Sequence, residues 1–254
     1  MKKNNQFSQS GLYVVIAVAI FSLSIVLSSS GRYFFKKNNS EISVTGSASL
    51  NFTSDLVVWG GDFTSSDIDL KKAYSQIKND RDIIESFLIN KGLKKDNFNF
   101  LSIDIEKKYK QKNYFNNEGV IVDREQIFTG FELTQQLKVT SSDIELVEQI
   151  SNEITDLIEK NIFLTSYPPK YYYTKLGELK IEMIKLASED GLIRAKTAIE
   201  GANGNLGSVL SSNIGVFQIL GTNSNDSFSW GGTLNTAHKN KTAYINVKQK
   251  YEIN

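Results

Sequence analysis

The heptapeptide Thr64-Ser65-Ser66-Asp67-Ile68-Asp69-Leu70 returns as Thr140-Ser141-Ser142-Asp143-Ile144-Glu145-Leu146, with one Asp replaced by Glu. At both places it joins a strand-like stretch to a helical stripe. Leu56 to Phe63 precedes the first copy. Phe131, Leu133, Leu137 and Val139, alternating with Glu132, Thr134, Gln136 and Lys138, precede the second. Behind the first copy, Leu70, Ala73, Tyr74, Ile77, Ile84, Phe87 and Leu88 keep the spacing of one helix face. Behind the second, Leu146, Val147, Ile150, Ile154, Leu157 and Ile158 do the same. Strand-like sequence resumes from Phe98 to about Tyr109, and again near Ile162. The pattern predicts a duplicated strand–helix–strand unit, at about 55–110 and 130–173. Ser66 and Ser142 are its expected equivalent helix caps. Two copies are too few, and their period too long, for a solenoid.

The rest of the chain reads in the same two periods. Ile42, Val44, Gly46, Ala48, Leu50 and Phe52 alternate with polar residues, which predicts a half-buried strand paired as a hairpin with Leu56–Phe63. A third helix is expected from Lys175 to Glu200, ended by Gly201, Gly204 and Gly207. A strand over Leu210–Leu220, a polar loop over Gly221–Lys241 and a terminal strand over Ala243–Ile253 complete the pattern. The predicted class is α+β, with helices layered on one face of mixed sheets.

Charge separates the N-terminus from the remainder. The chain has 254 residues and net charge +1, but Lys2, Lys3, Arg32, Lys36 and Lys37 fall in the first 40 residues with no acidic residue. Beyond them 24 basic residues face 28 acidic ones, a net of −4, which gives no reason to expect nucleic acid as a partner. Leu12 to Leu27 is uncharged, and with its flanks approaches the ~20 residues needed to cross a bilayer as a helix. Tyr33, Phe34 and Phe35 beside Lys36 and Lys37 resemble an interfacial anchor. Residues 1–40 are therefore expected to form a cytoplasmic tip, a transmembrane anchor and a linker. Residues 12–30 would contact the membrane, and 41–254 would be a single-pass protein's extracytoplasmic domain. A cleaved signal peptide is the alternative.

Chemistry is narrowly bounded. There is no cysteine and one histidine, His238, which removes thiolate chemistry, disulfides and multi-histidine metal sites. Gly201, Gly204 and Gly207 have nucleotide-loop spacing but follow a helix, where a Rossmann turn would open one. Asp62, Asp67 and Asp69, and the pair Asp104 and Glu106, form no ordered ligand series. No catalytic, cofactor-binding or metal residue is assigned. Two binding surfaces are expected instead. Lys107, Lys108, Lys110 and Lys112, interleaved with Tyr109, Tyr114 and Phe115, suit an anionic ligand. Tyr171, Tyr172, Tyr173, Tyr244 and Tyr251 suit a protein interface.

Several segments together resemble one family. Ser43-Val44-Thr45-Gly46-Ser47-Ala48, then Thr53 to Trp59, resembles the opening of SIMPL-domain proteins, formerly domain of unknown function 541. Ser166-Tyr167-Pro168-Pro169 to Tyr173, Ala195 to Leu210 and Gly215-Val216-Phe217 also fit, so the resemblance covers about residues 41–253. It implies a mixed α/β fold with repeated units, export from the cytoplasm and, in some members, ring-like self-assembly or a link to oxidative-stress tolerance. It supplies no catalytic residues. The functional expectation is a membrane-anchored extracytoplasmic structural or interaction protein that self-associates, with an envelope protein or glycan as a further partner. A carboxylate-dependent hydrolase or glycan-processing enzyme, and an envelope small-ligand binding protein, are the alternatives.

Overall fold

The computed structural model describes residues 13–14, 16–22, 24 and 40–254. The first group is helical and exposed, and Ser22 and Ser24 return their hydroxyls to the carbonyls of Ala19 and Phe21. Among the described residues no helix is long and apolar enough to cross a membrane. This overturns the expected transmembrane helix over Leu12–Leu27, and with it the membrane contact at 12–30 and the single-pass topology. The remainder of that expected segment lies outside the described residues.

The contacts divide the chain into two units. The larger comprises residues 45–191 and 213–248 and contains two hydrophobic clusters. The first cluster belongs to an antiparallel sheet of β2 (Leu56–Asp67), β3 (Phe98–Phe100), β4 (Asp104–Phe115), β5 (Ile121–Ser141), β6 (Leu164–Ser166) and β7 (Lys170–Tyr172). Its order is β3-β5-β2-β6, with β4 added on β5 and β7 on β2. Helix α1 (Leu70–Asn90) connects β2 to β3 across β5, and α2 (Ile144–Glu153) connects β5 to β6 across β2. Two β–α–β units thus interlock in ferredoxin-like order. Val57, Trp59 and Phe63 from β2, and Leu133, Leu137 and Val139 from β5, point to the helices. They meet Ile77, Ile84 and Leu88 of α1 and Val147 and Ile150 of α2.

The caps differ from the sequence expectation. Asp69 caps α1 by accepting from the Lys71 N–H at 2.8 Å, and Asp143 caps α2 by accepting from the Leu146 N–H at 3.1 Å. Ser66 lies in β2, opposite Glu132. In the first heptapeptide the strand continues through Asp67, whereas in the second it ends at Ser141. Identical letters therefore occupy different structure. The seven residues give the helix start two candidate carboxylates, and tertiary pairing selects between them.

The second cluster belongs to a sheet ordered β1-β11-β9-β10, with β8 also on β11. Its strands are β1 (Glu41–Thr53), β8 (Leu206–Ile214), β9 (Gln218–Gly221), β10 (Thr233–Leu234) and β11 (Asn240–Ile253). The expected β1–β2 hairpin does not form, because β1 joins this sheet and β2 the other. The connecting Ser54 and Asp55 N–H groups bond to the carbonyls of Lys239 and Tyr172. Helix α3 (Leu176–Glu200) lays Leu179, Met183 and Ala187 on Ile219, Ala243, Ile245 and Val247. Gly46 permits the close approach: a Cβ there would lie 2.0 Å from the Ala187 carbonyl oxygen. The expected strand over Leu210–Leu220 divides into β8 and β9 around Gly215.

The smaller unit, among described residues, contains 13–14, 16–22, 24, 40–44, 192–212 and 249–254. The Ile253 N–H donates to the Ser40 carbonyl, and Asn205 and Asn254 exchange backbone hydrogen bonds. Gly201 to Gly204 form the turn that ends α3, where Gly204 donates back to Ile199 and Asn203 takes the left-handed φ of +57°, whereas Gly207 lies in β8.

Candidate interaction surface

Strands β4 and β5 build an arm. Their register runs from Asp104 opposite Thr134 to Phe115 opposite Ile121. Asn116 closes the tip: its Oδ1 accepts from the Glu118 and Val120 N–H groups, while Gly119 supplies a φ of +78°. Strand β2 supports β5 only from Ser141 to Phe131, where Asp67 is the last partner. Beyond Phe131 the arm is a two-stranded ribbon. Gly130 stands at the departure point with φ +145°, and a Cβ there would sit 2.8 Å from the Asp67 carbonyl oxygen. A bulge between Lys108 and Tyr109 adds twist at the same level.

Residues 109–129 are all exposed, on both ribbon faces. One face carries Tyr109 and Phe128, with ring centroids 5.7 Å apart, and Phe128 leads on to Phe131 at 5.2 Å. The other carries Lys108, Lys110 and Lys112 along β4, with Asp123, Glu125 and Glu132 along β5. Lys107 lies opposite Phe131, on the aromatic face. The four lysines expected to form an anionic-ligand patch are therefore split between faces. Lys108 bonds Glu106 at 2.9 Å and Glu132 at 2.7 Å, which holds its ammonium pKa above the usual lysine value. Lys112 stacks over Tyr114, whose hydroxyl donates to Glu125 at 2.6 Å. The face is mixed in charge, a lysine row beside a carboxylate row.

The expected tyrosine interface is placed differently. Tyr251 is 5% exposed. The Tyr171 hydroxyl donates to Glu148 at 2.8 Å, and burial together with that carboxylate pushes its pKa up to about 12. Tyr173 packs on Phe52, Tyr244 on Phe228, and Tyr172 is half-buried in β7.

One buried cation escaped sequence reasoning. Lys241 is 1% exposed, and its Nζ donates to Ser54 Oγ at 2.9 Å, to the Tyr171 carbonyl at 3.0 Å and to the His238 carbonyl at 2.5 Å. Its three acceptors are uncharged oxygens, and burial pulls its pKa down to about 8. In sequence it appears merely as the basic end of a polar loop.

Asp62, Asp67, Asp69 and Glu106 are engaged locally. Asp62 accepts from the Tyr167 hydroxyl and from Gln136 Nε2; Asp67 accepts from the Asp69 N–H. The His238 ring lies against the Asn235 amide rather than a serine hydroxyl. Among the described residues no group of three or more His, Asp or Glu side chains is placed to hold a metal ion.

Residues 42–243 match the family described as SIMPL, protein of unknown function (DUF541). The chain belongs to the SIMPL family. No curated protein matches the chain. Among its described residues this SIMPL-family chain exposes Tyr109, Phe115, Val122 and Phe128 on the arm, and Phe228 and Trp230 on the polar loop.

Proposed function

We propose that this SIMPL-family chain is an extracytoplasmic interaction module that assembles with copies of itself through the β4–β5 arm and performs no bond-making chemistry. The observation carrying this reading is the ribbon beyond Phe131, which buries neither face while exposing Tyr109, Tyr114, Phe115, Val122, Ile127 and Phe128. Isolated two-stranded ribbons are marginally stable in water, so a partner that covers this one gains apolar area without disturbing the core. Its charge pattern favours a second copy. Two ribbons stacked about a two-fold axis parallel to their strands set each lysine row against the partner's carboxylate row. Tyr114 lies within the lysine row and Ile127 within the carboxylate row, and both add apolar contact. The tyrosines of β7 and β11 are not the contact surface in this proposal.

Molar mass of the full-length chain by light scattering tests it. A dimer or larger species is expected at about 100 µM, where a complex of micromolar Kd is formed. Lys110→Glu with Lys112→Glu should return it to one chain's mass at unchanged melting temperature. Adding Glu125→Lys should partly restore assembly. A wild-type monomer at that concentration, or an oligomer indifferent to the double substitution, overturns the reading.

A further inference from the structure

The outer face of the β1/β11 sheet carries a second, separate feature. Ser47 and Ser49 on β1 and Asn246 on neighbouring β11 are exposed, with Tyr244 between them and the loop after β9. That loop leans Phe228 and Trp230 over the same hollow, whose volume is about 690 Å³. Trp230 is 100% exposed and Phe228 63%, while the Phe228 and Tyr244 rings meet edge to face at 5.4 Å. Exposing an indole so fully forfeits one of the largest burial gains a side chain offers.

The loop is held in this shape at both ends. The buried Gln218 side chain clasps the Ser229 backbone, its Nε2 donating to the carbonyl at 2.6 Å and its Oε1 accepting from the N–H at 3.3 Å. Asp226 accepts from the Gly221 N–H at 2.8 Å and from Asn235 Nδ2 at 2.7 Å, bonds that hold its pKa below the usual carboxylate value. Gly232, at φ +92°, donates to the Ser229 carbonyl. The aromatic side chains therefore project from a braced support.

None of the residues lining the hollow is charged. Such a site gives an anion or a cation no counter-charge. It offers flat ring faces beside hydroxyl and amide groups at the spacing of alternate strand residues. That combination matches a molecule with apolar C–H faces and a rim of neutral hydroxyls. We propose that this hollow binds a neutral saccharide, whose ring stacks on Trp230 and Phe228 while Ser47, Ser49 and Asn246 hydrogen-bond its hydroxyls.

The two tryptophans make the test direct. Trp59 is 2% exposed, so acrylamide quenching of the full-length chain reports Trp230. Chitotetraose and cellotetraose serve as neutral probes, and tetragalacturonate as the charged control. At least one neutral probe should protect Trp230 saturably. Asn246→Ala should weaken that binding roughly tenfold, the factor that corresponds to about 1.4 kcal/mol. Trp230→Ala should abolish the binding seen by calorimetry without moving the melting temperature. The proposal is overturned if neither neutral probe protects Trp230 at about 10 mM, weaker than the millimolar range of feeble specific binding. It is equally overturned if the charged control binds as tightly, or if Trp230→Ala retains full affinity.

Discussion

Strand β5 passes through two environments along one continuous ladder. From Phe131 to Ser141 it lies between β2 and β3 or β4, and Leu133, Leu137 and Val139 are fully buried beneath the helices. From Ile121 to Thr129 it has β4 alone, and every residue is exposed. Both halves carry an antiparallel ladder, but only the base has a second strand neighbour and a buried face. Ladder hydrogen bonds set the conformation of a strand, but apolar contact supplies most of the free energy that fixes it in place. The base of β5 obtains that contact within the chain. The arm leaves it unfilled.

Substitution should expose this contrast. Leu137→Ala removes a side chain from the sealed core and should cost about 2–5 kcal/mol in urea unfolding. Val122→Ala, at a side chain 63% exposed on the same strand, should stay within about 0.5 kcal/mol when measured on the dissociated chain. A comparable loss at both positions would mean that the arm is packed within the monomer, and the distinction would collapse.

Lys241 gives the next largest effect. Replacing it by Met leaves the Ser54 hydroxyl and the Tyr171 and His238 carbonyls without their ammonium donor. The expected cost is on the order of 2 kcal/mol at neutral pH. The pH profile carries the sharper signature. A lysine whose folded pKa is about 8, below its ordinary 10.5, binds fewer protons folded than unfolded between those values. Stability should therefore rise with pH across that window. Tyr171 acts oppositely: with a folded pKa raised to about 12, it loses stability as pH climbs from about 10 towards 12. A stability maximum near pH 10 is expected from these two groups. Lys241→Met should remove the rise and Tyr171→Phe should soften the fall. A rise that survives in Lys241→Met would assign it to another group.

Gly130 marks the border between the two halves of β5. Alanine there must adopt φ +145° and meet the Asp67 carbonyl, so a loss of about 2 kcal/mol is expected. Native-state hydrogen exchange should show the loss concentrated in the arm and the adjoining end of β2. Uniform loosening of the whole sheet would show that the arm and base are not separable.

Much of the scaffold was legible because it rests on periodicity. Alternation located β1 and β11, and the 3.6-residue stripes located α1, α2 and α3, because each of these elements buries one face. Partner choice was not legible. The alternation of Ile42 to Phe52 states that β1 buries a face but carries no address, and β11, not β2, supplies its neighbour. The arm was hidden for the opposite reason. Lys107 to Phe115 buries neither face, so its alternation lacks the apolar side that makes a strand conspicuous. The saccharide hollow assembles Ser47, Phe228 and Asn246 from three distant segments, a proximity no local pattern encodes. The uncharged run at Leu12–Leu27 invited a membrane reading from hydropathy alone, and among the described residues no helix is long and apolar enough to cross a membrane.

The smallest effect bears on the repeated heptapeptide. Asp69→Ala and Asp143→Ala each delete a side-chain acceptor at a helix N-terminus and should cost about 1 kcal/mol. Ser66→Ala and Ser142→Ala should each stay within about 0.5 kcal/mol, since neither serine caps a helix. Of the two carboxylates in the first copy, Asp67 accepts from the Asp69 N–H and shapes the turn, while Asp69 holds the first helical turn itself. Thermal unfolding of the four alanine variants separates a repeat of sequence from a repeat of structure. If the two serines proved costly and the two aspartates silent, the helix starts would be equivalent after all. The 76-residue offset between heptapeptides would then mark structurally matched positions, in place of the 74 residues that separate Asp69 from Asp143.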